Sequence, residues 1–341
     1  MKQLFFSLVA LVCATMSYAQ SSLIATLSHD GEISTFYGTG ALRDAHAAAQ
    51  HGDIITLSSG AFPSVNITKA ITLRGAGMQV DTIAKTQPTI ITGNFEINIP
   101  DSVEQRLTVE GLYCSEDIMG KNLKNASFLK DVIKKIEPKW EGKMYNITFI
   151  HCKISEFINY NNSNNSNSAS FVNCYFVTTT TNYNLECTNC FIINRYALSS
   201  IYQSTLNNCI IYSIQSNIYN NSYYMLDKSC AANYCLYKGS LNRNFCFNNI
   251  VNNSSNSYLS GELNTLFKTY TGNYTDDETF ELTDEAKAKY LGSDGTEIGI
   301  HGGFLPFDPT PTNPQITKCN VASKSTADGK LSVDIEVSAA E

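Results

Sequence analysis

The sequence predicts an all-β chain wound into a parallel β-helix, with a capping helix at its start and a short strand appendage at its end. Two observations predict the coil. First, a strand-sized motif recurs: Ile147-Thr-Phe-Ile-His-Cys152-Lys-Ile154, Ser170-Phe-Val-Asn-Cys174-Tyr-Phe176, Glu186-Cys-Thr-Asn-Cys190-Phe-Ile192, Thr205-Leu-Asn-Asn-Cys209-Ile-Ile211 and Ala231-Ala-Asn-Tyr-Cys235-Leu-Tyr237. A sixth copy, Phe245-Cys-Phe-Asn-Asn249-Ile-Val251, carries Asn in the Cys position, and the spacings of 22, 16, 19, 26 and 14 average about 19. Second, the strands are only four to six residues long, so a helical repeat of 33 or more residues is excluded. Stacking each strand on its equivalent one turn later, about 4.8 Å away, accommodates both facts, because the connecting turns absorb insertions.

The start of the chain is a candidate export signal. Met1-Lys2-Gln3 is followed by an apolar run from Leu4 to Met16 and by Ser17-Tyr18-Ala19, the small residues that signal peptidase cleavage needs. Residues 1–19 are therefore expected to be a cleaved signal peptide, placing the protein outside the cytoplasm. The run is too short to span a bilayer, and no later segment is expected to be transmembrane. Next, Ala41-Leu-Arg-Asp-Ala-His-Ala-Ala-Ala49, ended by Gly52, predicts a short helix that plugs the first coil. Early coils are marked by Ile71-Thr-Leu-Arg-Gly75 and Leu107-Thr-Val-Glu-Gly111, with Gly where later copies have Asn or His.

Residues 121–138 repeat Leu123, Phe128, Leu129, Val132, Ile133 and Ile136 at helical spacing, and predict a helical insertion on the coil. In the regular coils, Cys152, Cys174, Cys190, Cys209 and Cys235 are expected to form one interior column of small, polarisable side chains. The preceding Asn173, Asn189 and Asn208 are expected to form a second ladder at a bend. The β-helix is taken as residues 20–304, a Pro-rich linker as 305–314 with Pro306, Pro309, Pro311 and Pro314, and a strand or hairpin appendage as 315–341, where Lys330 to Val337 alternates.

Composition narrows the function. With 43% hydrophobic and 16% charged residues the chain is not disordered, and a net charge of −7 without a basic patch argues against nucleic acid. Across residues 142–275 the acids Glu156, Glu186, Asp227 and Glu262 stand 30, 41 and 35 residues apart. Glycoside hydrolysis needs two carboxyls roughly 5–9.5 Å apart, and these spacings do not follow the coil period. Cys187-x-x-Cys190 has zinc-ligand spacing but lacks a second pair, so no metal is expected. Cys230 and Cys235 are the pair to test for a disulfide, and Asp276, Asp277 and Glu278 offer at most a weak Ca²⁺ loop. Tyr183, Tyr196, Tyr202, Tyr212, Tyr219, Tyr223 and Tyr224 lie among Asn and Ser, the mixture of flat rings, amides and hydroxyls suited to sugars.

Leu42-Arg-Asp-Ala through Ala49, Gly52-Asp-Ile-Ile-Thr-Leu57, Gly60-Ala-Phe62 and Ile71-Thr-Leu-Arg-Gly-Ala-Gly77 resemble the opening segment of right-handed parallel β-helix proteins of the pectin lyase type. The segment from Asp294 to Phe307 is similar to the exit of secreted bacterial members. The resemblance implies a right-handed coil but not one function, because that scaffold carries lyases, hydrolases and adhesins. Its lyases use an acid cluster holding Ca²⁺ with an Arg or Lys base, and its hydrolases use two or three carboxylates. The expectation is thus an exported, non-catalytic monomer that binds glycan or a cell-surface partner through its Tyr/Asn-rich side. A polysaccharide lyase or hydrolase, with Glu110, Glu116 and Asp117 as candidate acids, is the alternative, and a structural surface spacer or adhesin is the second.

Overall fold

A computed structural model describes residues 23–81, 86–159, 167–195, 201–213, 226, 230–239, 258–259, 263–272, 274–322, 324–326 and 328–338. The expected signal peptide, the sixth repeat copy, and Tyr196, Tyr219, Tyr223 and Tyr224 lie outside the described residues.

Short strands wind into a parallel β-solenoid of about 7 turns. Each turn contributes to two main stacks, and one inward column shows how strictly register is kept. Ile55, Leu73, Val109, Phe128, Phe149, Phe171, Cys187, Leu206 and Ala232 follow one another, each opposite the next. All are buried. Strand alternation then turns their neighbours Thr72, Thr108, Ser127, Thr148, Ser170, Glu186 and Thr205 outward in a parallel column. The aromatic members stack face to face, with centroids 5.1 Å apart for Phe128–Phe149 and 4.8 Å for Phe149–Phe171. A one-residue slip would expel this whole column to solvent.

The bend after this stack explains the Asn residues. Lys130, His151, Asn173, Asn189, Asn208 and Tyr234 all have φ between 49° and 54°, the left-handed region. Asn tolerates that region better than most L-residues, and Gly111 at φ 68° fills the same place in an earlier turn. The next residue points inward again. Cys152, Cys174, Cys190, Cys209 and Cys235 are all fully buried there. The Cys152 N–H donates to Sγ of Cys174 at 3.3 Å, and the Cys190 N–H to Sγ of Cys209 at 3.4 Å. Each thiol in turn donates to the carbonyl two residues before it, as Cys190 does to Thr188 at 3.2 Å. A thiol thus closes the backbone account at the bend without a bulky side chain. Cys230 and Cys235 are both free thiols.

The N-terminal end is closed by more than a helix. Helix α1 (Ala41–Ala48) buries Ala41, Leu42 and Ala45. Before it, strands Ile24–His29 and Glu32–Tyr37 form an antiparallel hairpin, and the first of them pairs antiparallel with Ile54–Leu57. The coil's first open edge is therefore covered by a strand of opposite direction.

Two expectations are corrected. Residues 121–138 are not helical: they belong to strands Leu112–Leu129 and Val132–Ile150, which pair in parallel over most of their lengths. Leu123, Phe128, Ile133 and Ile136 fill inward positions of two consecutive turns, and bulges at 133–135 and 138–143 let the strands bend around the coil. Residues 305–314 are not a free linker. The chain from 263 onward folds back along the solenoid, burying Leu266, Phe267, Tyr270, Phe280 and Leu282 against Tyr175, Phe191, Ile193 and Ile210. It then descends along the left-handed bend. The Asn173 side chain donates to the carbonyls of Ile300 and Gly302 at 2.8 and 2.7 Å. Lys130 reaches Asp308 and the Thr310 carbonyl, and Asn313 donates to the Gly75 carbonyl. The prolines shape a strap whose polar partners are the bend residues themselves. Beyond it, Gln315–Val321 and Val333–Ser338 form an antiparallel hairpin.

Candidate functional site

The strands Asn182–Tyr183 and Ile201–Tyr202 pair in parallel on a third side of the coil, with Tyr183 directly opposite Tyr202. Asn182 and Ile201 are buried, so alternation turns both rings outward, half-buried and stacked with centroids 5.0 Å apart and planes 20° apart. The following residues, Asn184 and Gln203, are in the left-handed region at φ 52° and 51° and turn the chain into the next stack. Hydrogen bonds hold this corner: Asn159 Nδ2 donates to the Tyr183 carbonyl at 2.9 Å, and the Ser204 hydroxyl to the Tyr202 carbonyl at 2.7 Å.

Around that corner lies a groove of about 330 Å³, lined by Asn146, Thr148, Ser168, Ser170, Asn184, Glu186, Gln203 and Thr205 among others. The lining side chains are mostly amides and hydroxyls, beside Ile147, Ala169 and Leu185, with Glu186 as the one ionisable side chain. Two lining residues, Asn184 and Gln203, directly follow the two stacked rings in sequence, so the groove begins at the corner next to the ring platform. Arg106 braces the neighbouring turns, donating to Ser127 Oγ, Asn146 Oδ1, the Ala126 carbonyl and Thr148 Oγ1. Burial lowers the pKa of its guanidinium.

Of the tyrosines expected to form one binding face, the structure brings together Tyr183 and Tyr202. Tyr212 is on another side, packed against the apolar cluster beneath the strap. The polar groove residues escaped the sequence reading although their register was visible: Thr148, Ser170, Glu186 and Thr205 each stand four residues before a column cysteine.

The candidate catalytic acids are each engaged in an ion pair. Glu110 is buried and pairs with Arg74 at 3.0 Å, and it also accepts from the Thr312 hydroxyl. Glu116 pairs with Lys134, and Asp117 with Lys135, which also binds Glu137. Asp276 accepts from the Tyr113 hydroxyl, whose pKa burial and that carboxylate push up to about 12. Glu278 accepts from Thr269 and from the Phe280 N–H. Among the described residues, no group of three His, Cys, Asp or Glu side chains could hold a metal ion. Lys153 is buried, donates to the Asp276 carbonyl at 2.7 Å and lies 5.6 Å from the Phe307 ring centroid. Burial lowers its pKa to about 8 against the opposing pull of Asp276, Asp277 and Glu278.

One buried acid had no place in the sequence reading. Asp131 occupies the column position that cysteine fills in later turns, following Lys130 as Cys152 follows His151. Its Oδ1 accepts from the Leu112 N–H at 2.8 Å, whereas its fully buried Oδ2 has no partner. Burial, helped by the nearby Glu110 charge, holds its pKa well above the usual carboxylate range.

Fold and site together define a parallel β-solenoid bearing a lateral groove of amides and hydroxyls beside a tyrosine stack. Comparison with protein-family models, curated proteins and solved structures returns no match. No helix among the described residues is long and apolar enough to cross a membrane.

Proposed function

We propose that this protein is an exported, non-catalytic glycan-binding solenoid, with a right-handed coil of the pectin lyase type. An oligosaccharide would lie against the Tyr183–Tyr202 stack and continue into the adjoining groove. The observation that carries the reading is their proximity: a stacked ring pair adjoins, through Asn184 and Gln203, a groove of hydroxyl and amide groups contributed by successive turns. Sugars present just this combination, with C–H faces for rings and hydroxyls for amides. Export rests on the signal-like run from Leu4 to Ala19. A single carboxylate in the groove supports binding over hydrolysis, which uses two.

The test is titration calorimetry of the purified chain against neutral, amino and uronate oligosaccharides, with reducing-end and unsaturated-product assays run alongside. Binding without turnover is expected, and Tyr202→Ala should weaken it about tenfold, the scale of one aromatic contact. Binding unchanged in Tyr202→Ala and Tyr183→Ala would overturn the site. Release of reducing ends or unsaturated products would overturn its non-catalytic character.

A further inference from the structure

We infer that the groove selects glycans bearing a protonated amine, with Glu186 as the residue that reads the charge; this rests on the glycan-binding reading above. Three features of the groove point the same way. Its lining contains one ionisable side chain, the Glu186 carboxylate, and no cation. That carboxylate is on an exposed residue of the outward column, between Ser170 and Thr205 on the adjacent turns. It therefore faces any ligand lying along the column. The nearest guanidinium around this lining is already occupied: Arg106 has five N–H donors, and the four bonds from its three nitrogens go to Ser127, Asn146, Ala126 and Thr148. Arg106 thus shapes the groove instead of offering a fork to a ligand carboxylate. A polyuronide would bring negative charge to Glu186 on a chain whose net charge is already −7. A glucosamine-type residue would bring an ammonium, with its ring hydroxyls directed to the Ser, Thr, Asn and Gln groups on either side.

The probes are glucosamine oligomers, their N-acetylated counterparts and oligogalacturonates of equal length, titrated into the full chain in mildly acidic buffer at low and high salt. The amino oligomer should bind about two- to fivefold tighter than the acetylated one, the range of an exposed ion pair, and the uronate weakest. High salt should erase the preference, since exposed charges are screened. Glu186→Gln should also erase it, and a preference for the amino oligomer that survives in Glu186→Gln would overturn the role given to this carboxylate. Equal binding of amino and acetylated oligomers, or a preference for the uronate, would overturn the charge reading and leave glycan binding standing. Binding of no oligomer at all would overturn both.

Discussion

Replacing Asp131 by cysteine should stabilise the solenoid, and increasingly so as pH rises. The substitution installs the residue that the same column uses in later turns, where a thiol accepts the preceding turn's N–H and donates to a carbonyl. Asp131 offers Leu112 the acceptor but leaves its second oxygen buried and unpaired. An unsatisfied buried oxygen costs about 1–3 kcal/mol. Protonation adds a pH-dependent part. The folded pKa lies well above the ordinary 3.8, so between those two values the folded chain binds a proton that the unfolded chain has released. Stability is then fully present below the ordinary value and falls as pH rises towards the folded one, by about 1.4 kcal/mol per pH unit. Inside that window the parent should lose stability steadily relative to Asp131→Cys as pH rises. Urea unfolding of both proteins from mildly acidic to neutral pH measures the divergence. Parallel profiles, or a variant less stable than the parent at neutral pH, would refute the reasoning.

Other outcomes follow from the same contacts. Cys190 and Cys209 are fully buried, so thiol reagents should label them slowly until denaturant is added, and fast labelling of the native chain would contradict the column. Cys190→Asp should cost several kcal/mol at neutral pH in that dry interior, whereas Cys190→Ala should cost about 1–2 kcal/mol. Asn173→Ala should cost about 2–5 kcal/mol in thermal or urea unfolding, from a left-handed backbone plus two lost bonds to the strap. Asn173→Gly should recover only the backbone share, and equal costs for the two variants would count against the left-handed assignment. Lys153 has a folded pKa of about 8 against an ordinary 10.5, so between these values the unfolded chain binds the extra proton and stability rises with pH. The rise should approach about 3 kcal/mol and vanish in Lys153→Met; an unchanged profile in that variant would show that Lys153 is not the source.

The coil was legible because its determinants are local and repeated. A strand of alternating residues, a left-handed Asn and a small inward Cys recur in each turn, so register could be read from the chain itself. What misled the reading were residues that serve two periodicities. Leu123, Phe128, Ile133 and Ile136 fit a helical stripe, yet each is also an inward residue of a strand wrapped around the coil. Tertiary stacking on neighbouring turns decides between the two, and that term has no local signature. The strap was missed for a related reason: Pro306, Pro309 and Pro311 read as a spacer, whereas its partners Lys130, His151 and Asn173 lie far away in sequence. Asp131 could have been found by extending the motif one turn earlier, since Lys130-Asp131-Val132-Ile133 repeats the pattern of His151-Cys152-Lys153-Ile154 with an acid for the thiol. Tyr183 and Tyr202 were identified by composition, but their stacking depends on strand register across the 19-residue turn that separates them.

Hydroxyl-radical footprinting of the chain with and without a bound oligosaccharide tests the central claim most directly. Tyr183 and Tyr202 should both be protected on saturation, while Tyr37, 67% exposed on the N-terminal hairpin, should react equally in both samples. A saturating glycan that leaves Tyr183 and Tyr202 as reactive as before would contradict the account.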